Sequence, residues 1–211
     1  FVAVNHLEGH ILSPFIMREG GLVPHLALVV SGGHSLLVDV RGCGDYTLLG
    51  RSRDDAAGEA FDKVAKMLDL PYPGGPNIER LAKAGSNVVP LPKMFKGHGG
   101  YEFSYSGLKT AVINAVHTAQ QKGEPLKPED VACSFQSAAV DILVDKALEA
   151  CREFNYKTVA VCGGVAANGY LRDQITVKAQ KEGIKVVLPE KRYCTDNGCM
   201  IAAEGYIQYK N

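Results

Sequence analysis

Apolar positions along the chain follow two periods. The wholly apolar run at residues 26–30 and the largely apolar ones at 157–161 and 184–188 have the length of buried strands. The first is followed at hairpin spacing by residues 35–40 and 46–49, with Ser31-Gly32-Gly33-His34 and a second glycine-rich turn at 41–45 between them; these predict an antiparallel three-strand meander. The longer period marks helices at 3–17, 56–70, about 104–121, 128–154 and about 167–181. A last helix opens at Thr195-Asp196-Asn197. Asp54 and Asp55 suit the first turn of the 56–70 helix, and Asn77 is placed to cap a short one through residue 84. The 128–154 segment carries a broad apolar face: Val131, Phe135, Val140, Ile142, Leu143, Ala147 and Ala150. Antiparallel strands followed by parallel ones predict an α/β fold, a mixed sheet with helices on both faces.

That order matches one ribonuclease-H-like half of the kind that actin and the sugar kinases carry twice. The expected organisation is residues 1–25 as a helix and connection joining a lobe at 26–211, with a helical insertion at about 71–126. The 211 residues are 46% hydrophobic and carry 23 basic and 23 acidic side chains, so no global charge directs the chain to nucleic acid or away from it. No apolar run approaches the roughly 20 residues of a membrane span, and no signal peptide is visible. The six scattered cysteines form no Cys-x-x-Cys pair and read as reduced thiols of a cytoplasmic protein.

Chemistry is concentrated in five stretches. In a helix, His6 and His10 stand one turn apart, about 40° round the axis, and two neutral imidazoles at that spacing can hold one transition metal. Glu8 lies roughly 200° from His6, so it is displaced from the base position of the metalloprotease motif His-Glu-x-x-His. Two histidines without a metal are the plainer alternative. Val30 to His34 is a hairpin tip whose glycines would let backbone N–H groups approach a phosphate; a plain turn would look the same. Cys162-Gly163-Gly164-Val165-Ala166-Ala167-Asn168 leaves a buried strand and enters a helix, where an anion is favoured, yet it is neither a Walker A nor a dinucleotide fingerprint. Asp196 is either a helix cap or a third metal ligand completing a two-histidine, one-carboxylate set. The loop at 85–103 interleaves Lys93, Lys96 and His98 with Phe95, Tyr101 and Phe103, a pattern that grips nucleic-acid strands or simply faces solvent. No nucleophile–base motif is present, and Cys162 is expected to be inert.

Several of these stretches together resemble one family. Asn5-His6-Leu7-Glu8-Gly9-His10, Val30-Ser31-Gly32-Gly33-His34, residues 54–63, Tyr72-Pro73-Gly74-Gly75-Pro76, residues 103–109, residues 162–168 and Thr195-Asp196-Asn197 stand in the order found in the TsaD family of tRNA threonylcarbamoyladenosine transferases. That family was once described as O-sialoglycoprotein endopeptidases. The resemblance implies an actin-like ATPase (ASKHA) fold and one iron or zinc ion held by His6, His10 and Asp196. It further implies an adenylate site at Val29, Val30, Ser31, Gly32, Gly33, Asp62, Gly75, Glu79 and Asn168. Asp62 and Glu79 would hold the ribose. The implied reaction moves a threonylcarbamoyl group from threonylcarbamoyl-AMP to the exocyclic amine of the tRNA adenosine 3′ of the anticodon. The implied partners are tRNA, a TsaB-like paralogue and a TsaE-like ATPase. Val29 stands where the archaeal and eukaryotic branch has a tyrosine ligand, so the likeness is to the bacterial or mitochondrial type. The family's N-terminal lobe is absent from these residues; the chain by itself is therefore expected to self-associate and to be inactive in transfer. A metalloprotease and a non-catalytic actin-like nucleotide-binding scaffold are the competing readings, the second having no need of His6, His10 and Asp196.

Overall fold

The computed structural model describes residues 1–16, 18, 21–92 and 100–210. Its centre is a five-stranded sheet of β1 (His25–Val30), β2 (Ser35–Gly42), β3 (Asp45–Arg51), β4 (Thr158–Cys162) and β5 (Lys185–Val187), in the order β3-β2-β1-β4-β5. β1, β2 and β3 form the antiparallel meander, while β4 joins β1, and β5 joins β4, in parallel. β1 is buried along its whole length because both faces of the sheet are covered. Leu26, Leu28 and Val30 point into the larger core; Ala27 and Val29 point to the opposite face, against Ile11.

The larger core is built on α5 (Pro128–Glu153), whose Val131, Phe135, Val140, Leu143, Ala147 and Ala150 are fully or almost fully buried. Each large apolar side chain taken out of water there contributes about 2 kcal/mol. Around α5 stand α2 (Ala57–Met67), α3 (Gly74–Ala82), α4 (Ser106–Gln121) and α6 (Gly169–Lys181). Ile78, Ala82, Leu108 and Val112 place α3 and α4 in the same core as the sheet. On the other face, α1 (His6–Leu12) rests against β1 and β4 and is backed by α7 (Gly198–Lys210). No helix of the described residues is long and apolar enough to cross a membrane.

Several helix starts differ from those the sequence predicts. α1 stops at Leu12, and Pro14 turns the next residues into a single 3-10 turn, Ser13–Phe15, instead of a helix to residue 17. Asp54 and Asp55 do not enter α2. Asp54 accepts hydrogen bonds from the Tyr105 and Ser106 N–H groups at the start of α4, and Asp55 accepts from Lys63 and Lys109. The first N–H of α2 is taken by Ser35 Oγ of β2 at 2.8 Å. Asn77 is no cap: it lies inside α3, where its amide donates to the Pro71 and Pro73 carbonyls. Of the cation-and-aromatic loop at 85–103, Lys93, Phe95, Lys96 and His98 fall outside the described residues, while Phe103 is buried in the core and Tyr101 packs against it and donates to Glu153.

Candidate metal and nucleotide site

α1 begins cleanly because Asn5 Oδ1 accepts from Leu7 N–H at 2.9 Å. This fixes the helix so that His6 and His10 share one face, their rings 4.8 Å apart and edge to face. Asp196 reaches them from the turn before α7. Its Oδ1 lies 3.0 Å from His10 Nε2 and 3.4 Å from His6 Nε2. The ligand atoms of the three side chains all fall within 4.8 Å of one another. Asp196 is available because Asn197 makes the cap, its Oδ1 accepting from Met200 N–H at 3.0 Å. The backbone of α1 can come this close to α7 because residue 9 is glycine; a Cβ there would sit 3.3 Å from the Met200 side chain.

The three side chains differ in exposure: 3% for His10, 51% for His6 and 76% for Asp196. Burial, the largest influence, pulls the His10 pKa below its ordinary value; the Asp196 bond opposes that shift and the nearby His6 charge adds to it. His10 is therefore a neutral imidazole near pH 7, the form that ligates metals. Its Nδ1 is buried without a hydrogen-bond partner. Two imidazoles and one carboxylate on an open surface form a donor set suited to iron or zinc. Glu8 turns away and lies against Glu204 of α7; burial first, then that carboxylate, raise its pKa. Among the described residues no further carboxylate joins the trio as a general base of the protease kind.

A second arc of residues lies at the C-terminal ends of β1 and β4. Gly163 has φ +90, and a Cβ there would meet the Val30 carbonyl oxygen at 2.3 Å, so the turns after β1 and β4 touch. Gly58 of α2 approaches the Ser31-Gly32 backbone equally closely, and its N–H donates to Ser31 O at 3.2 Å. Ser31 Oγ closes the tip by accepting from His34 N–H. Gly32, Gly33 and Gly75 have open space where a Cβ would project. Asp62 Oδ1 accepts from Gly74 N–H at 2.7 Å, and Glu79 Oε1 from Gly169 N–H at 3.1 Å. Thr195, next to Asp196, lies 3.8 Å from where a Gly164 Cβ would project, joining this arc to the histidine trio.

Ser31–Gly33 thus meet Gly58 and the turn after β4, Glu79 meets the start of α6 beside Asn168, and Asp62 is tied to the start of α3 next to Gly75. Val29 and Val30 are fully buried strand residues and offer that space backbone rather than side chain. Asn168 is also more structural than its motif suggests: Oδ1 caps α6 through Leu171 N–H and Nδ2 donates to Gln136 Oε1. Gln136, Gly58 and Ser35 carry no local signal, since their partners lie far along the chain. Cys162 is fully buried, and burial pushes its thiol pKa up, as expected for an inert thiol.

A family model described as TsaD, tRNA N6-adenosine threonylcarbamoyltransferase, matches residues 1–203. The chain belongs to the TsaD family. The TsaD relative named tRNA N6-adenosine threonylcarbamoyltransferase in Bacillus subtilis is 49% identical over 210 residues, covering 99% of this chain and 60% of its own length. One of the same name in Anoxybacillus flavithermus is 48% identical, with 99% and 61% covered. The chain therefore spans about three fifths of these relatives. Among solved structures, full-length HypF in a phosphate- and nucleotide-bound form superposes with a TM-score of 0.71 at 14% identity, over 98% of this chain and 42% of that one. The activator of 2-hydroxyisocaproyl-CoA dehydratase from Clostridium difficile gives 0.58 at 12%, over 97% and 67%. These likenesses establish the actin-like ATPase (ASKHA) fold for this TsaD-family chain.

Proposed function

We propose that this chain is the catalytic lobe of a cytoplasmic tRNA threonylcarbamoyladenosine transferase. In this reading residues 1–25 deliver the metal-binding helix to a ribonuclease-H-like lobe at 26–211, and α3 and α4 form its helical insertion. The observation that carries the proposal is the meeting of His6, His10 and Asp196 within 4.8 Å, beside the glycine turns at the ends of β1 and β4. His6, His10 and Asp196 would hold one iron or zinc ion, which when bound supplies a Lewis acid for phosphate or carbonyl oxygens.

The remaining work falls to the chain. Open space over Gly32 and Gly33 admits the phosphate, with Ser31 beside it. Asp62 and Glu79 each spend one oxygen on a backbone N–H, and the second is offered to a ribose hydroxyl. Asn168 positions the start of α6 and the turn before it. The donor is a mixed carbamic–phosphoric anhydride, so no protein nucleophile is required. The adenosine amine bonds the carbamoyl carbon and loses a proton, the bond from that carbon to the phosphate oxygen breaks, and AMP leaves. Rate then depends on how the two substrates are positioned. tRNA, a TsaB-like paralogue and a TsaE-like ATPase are the partners of the full-length protein.

Elemental analysis tests the site. Wild-type chain loaded with iron or zinc is expected to carry about one ion, and His10→Ala and Asp196→Ala to lose it, as second-sphere-intact sites lose affinity when a direct ligand is removed. Full occupancy in both variants would remove the assignment.

A further inference from the structure

We propose that the groove between α6 and the free edge of β5 is a docking track for the phosphodiester backbone of the tRNA, an inference that rests on the transferase reading. The groove is lined by Arg18, Arg172, Thr176, Gln180, Lys185 and Leu188, with a few small and apolar neighbours. Among the described residues no carboxylate lines it, although the chain as a whole carries as many acidic as basic groups.

The two guanidiniums are held by carbonyls instead of by acids. Arg18 donates to Leu188 O at 3.1 Å, and Arg172 donates to Ala166 O and Pro189 O at 2.9 and 3.0 Å. Lys185 is exposed at the other end of β5. None of the three forms an ion pair among the described residues, and the groove gathers their charges. Arg172, Thr176 and Gln180 are spaced four apart on α6 and span about 12 Å of helix. Thr176 and Gln180 add neutral hydrogen-bonding groups of the kind that contact phosphate and sugar.

The groove is also continuous with the proposed active site. Ala166, which takes one Arg172 hydrogen bond, belongs to the glycine turn after β4. Arg172 lies 4.0 Å from the sulfur of Cys194, two residues before Asp196. A strand laid in the groove would therefore lead to the metal trio. The alternative occupant of a sheet edge is a peptide strand, but β5 has three residues and Arg18 already takes the carbonyl that follows it. Three cations with polar neighbours and no carboxylate among the described lining residues favour a polyanion.

The test uses the 211-residue chain and an in vitro transcript of a tRNA with adenosine 3′ of the anticodon. Binding is measured by fluorescence anisotropy over a salt series. Arg18→Gln and Lys185→Gln are expected to weaken binding severalfold each. Their combination should reduce the slope of log affinity against log salt by about two. Lys122→Gln, at the far end of α4, serves as control and should change neither. An unchanged slope in the double variant, an equal loss in the control, or no tRNA binding by the wild-type chain would each overturn the proposal. An unchanged slope together with capture of a strand-forming peptide at β5 would assign the edge to peptide addition. Metal and adenine-nucleotide binding are measured on the same variants: if they persist while the groove fails, the transferase reading stands and the groove proposal falls, whereas their absence in wild type strikes the transferase reading and with it the tRNA assignment of the groove.

Discussion

His10 and His25 show how much one side chain's surroundings decide. Both imidazoles are buried, and burial lowers both pKa values, in His25 against the opposing pull of its bond to the Val23 carbonyl. In the unfolded chain each titrates near 6.5. Below that value and down to the folded pKa, the unfolded chain binds more protons than the folded one, so stability falls as pH drops through this window and is unaffected above it. His25 packs on Phe15, and its Nε2 has no hydrogen-bond partner among the described residues, which makes it the simpler of the two to replace. His25→Phe is expected to lose less stability than wild type between pH 7.5 and 5.5 in urea titrations. The Glu8–Glu204 pair is common to both proteins and cancels from the comparison. An identical loss in the two would show that His25 is protonated in the folded state.

At the scale of elements, the glycines of the two turns divide into those that build the fold and those that leave room. Gly163→Ala must carry a left-handed backbone and a clash with Val30 O, and should cost about 3 kcal/mol in urea unfolding. Gly32→Val faces open space, so its stability should stay within about 0.5 kcal/mol of wild type while its affinity for adenine nucleotide falls. Equal stability losses in the two variants would contradict this division. Asn168→Ala removes the α6 cap and the Gln136 bond and should cost about 1–2 kcal/mol, so any loss of nucleotide affinity there has to be read beside its unfolding curve. The same contrast explains what the sequence made legible. The wholly apolar run at 26–30 could only be a strand covered on both faces, and the histidine spacing follows from helical geometry alone. The start of α2 was not legible, because its first N–H is taken by Ser35 of β2, and Asp54, which suits the first turn, is used 51 residues later at Tyr105. In the same way Asn197 takes the cap that Asp196 also suited, and only the fold shows which residue is left for the histidines.

On the scale of the molecule, the trio and the nucleotide arc are both drawn from residues 6–196, within a chain that covers 60% of its Bacillus subtilis relative. Helix α1 buries Ile11 and Leu12 against the sheet. Exposed large apolar side chains include Phe1 and Val2 and, on α7, Ile201, Tyr206 and Tyr209. Exposed apolar groups such as these favour association. Sedimentation velocity is expected to show concentration-dependent self-association, weakened by Tyr206→Ser with Tyr209→Ser; a monodisperse monomer at all concentrations would contradict this. The central claim is that these 211 residues hold the working half of a threonylcarbamoyl transferase. Its most direct test replaces the matching segment of the Bacillus subtilis relative with this chain and measures threonylcarbamoyladenosine formed on tRNA, with the relative's partner proteins and purified threonylcarbamoyl-AMP. The chimera should modify tRNA, and the same chimera carrying His10→Ala should be folded and inactive. A folded chimera without transfer activity, or one in which His10→Ala is as active as its parent, would contradict the account.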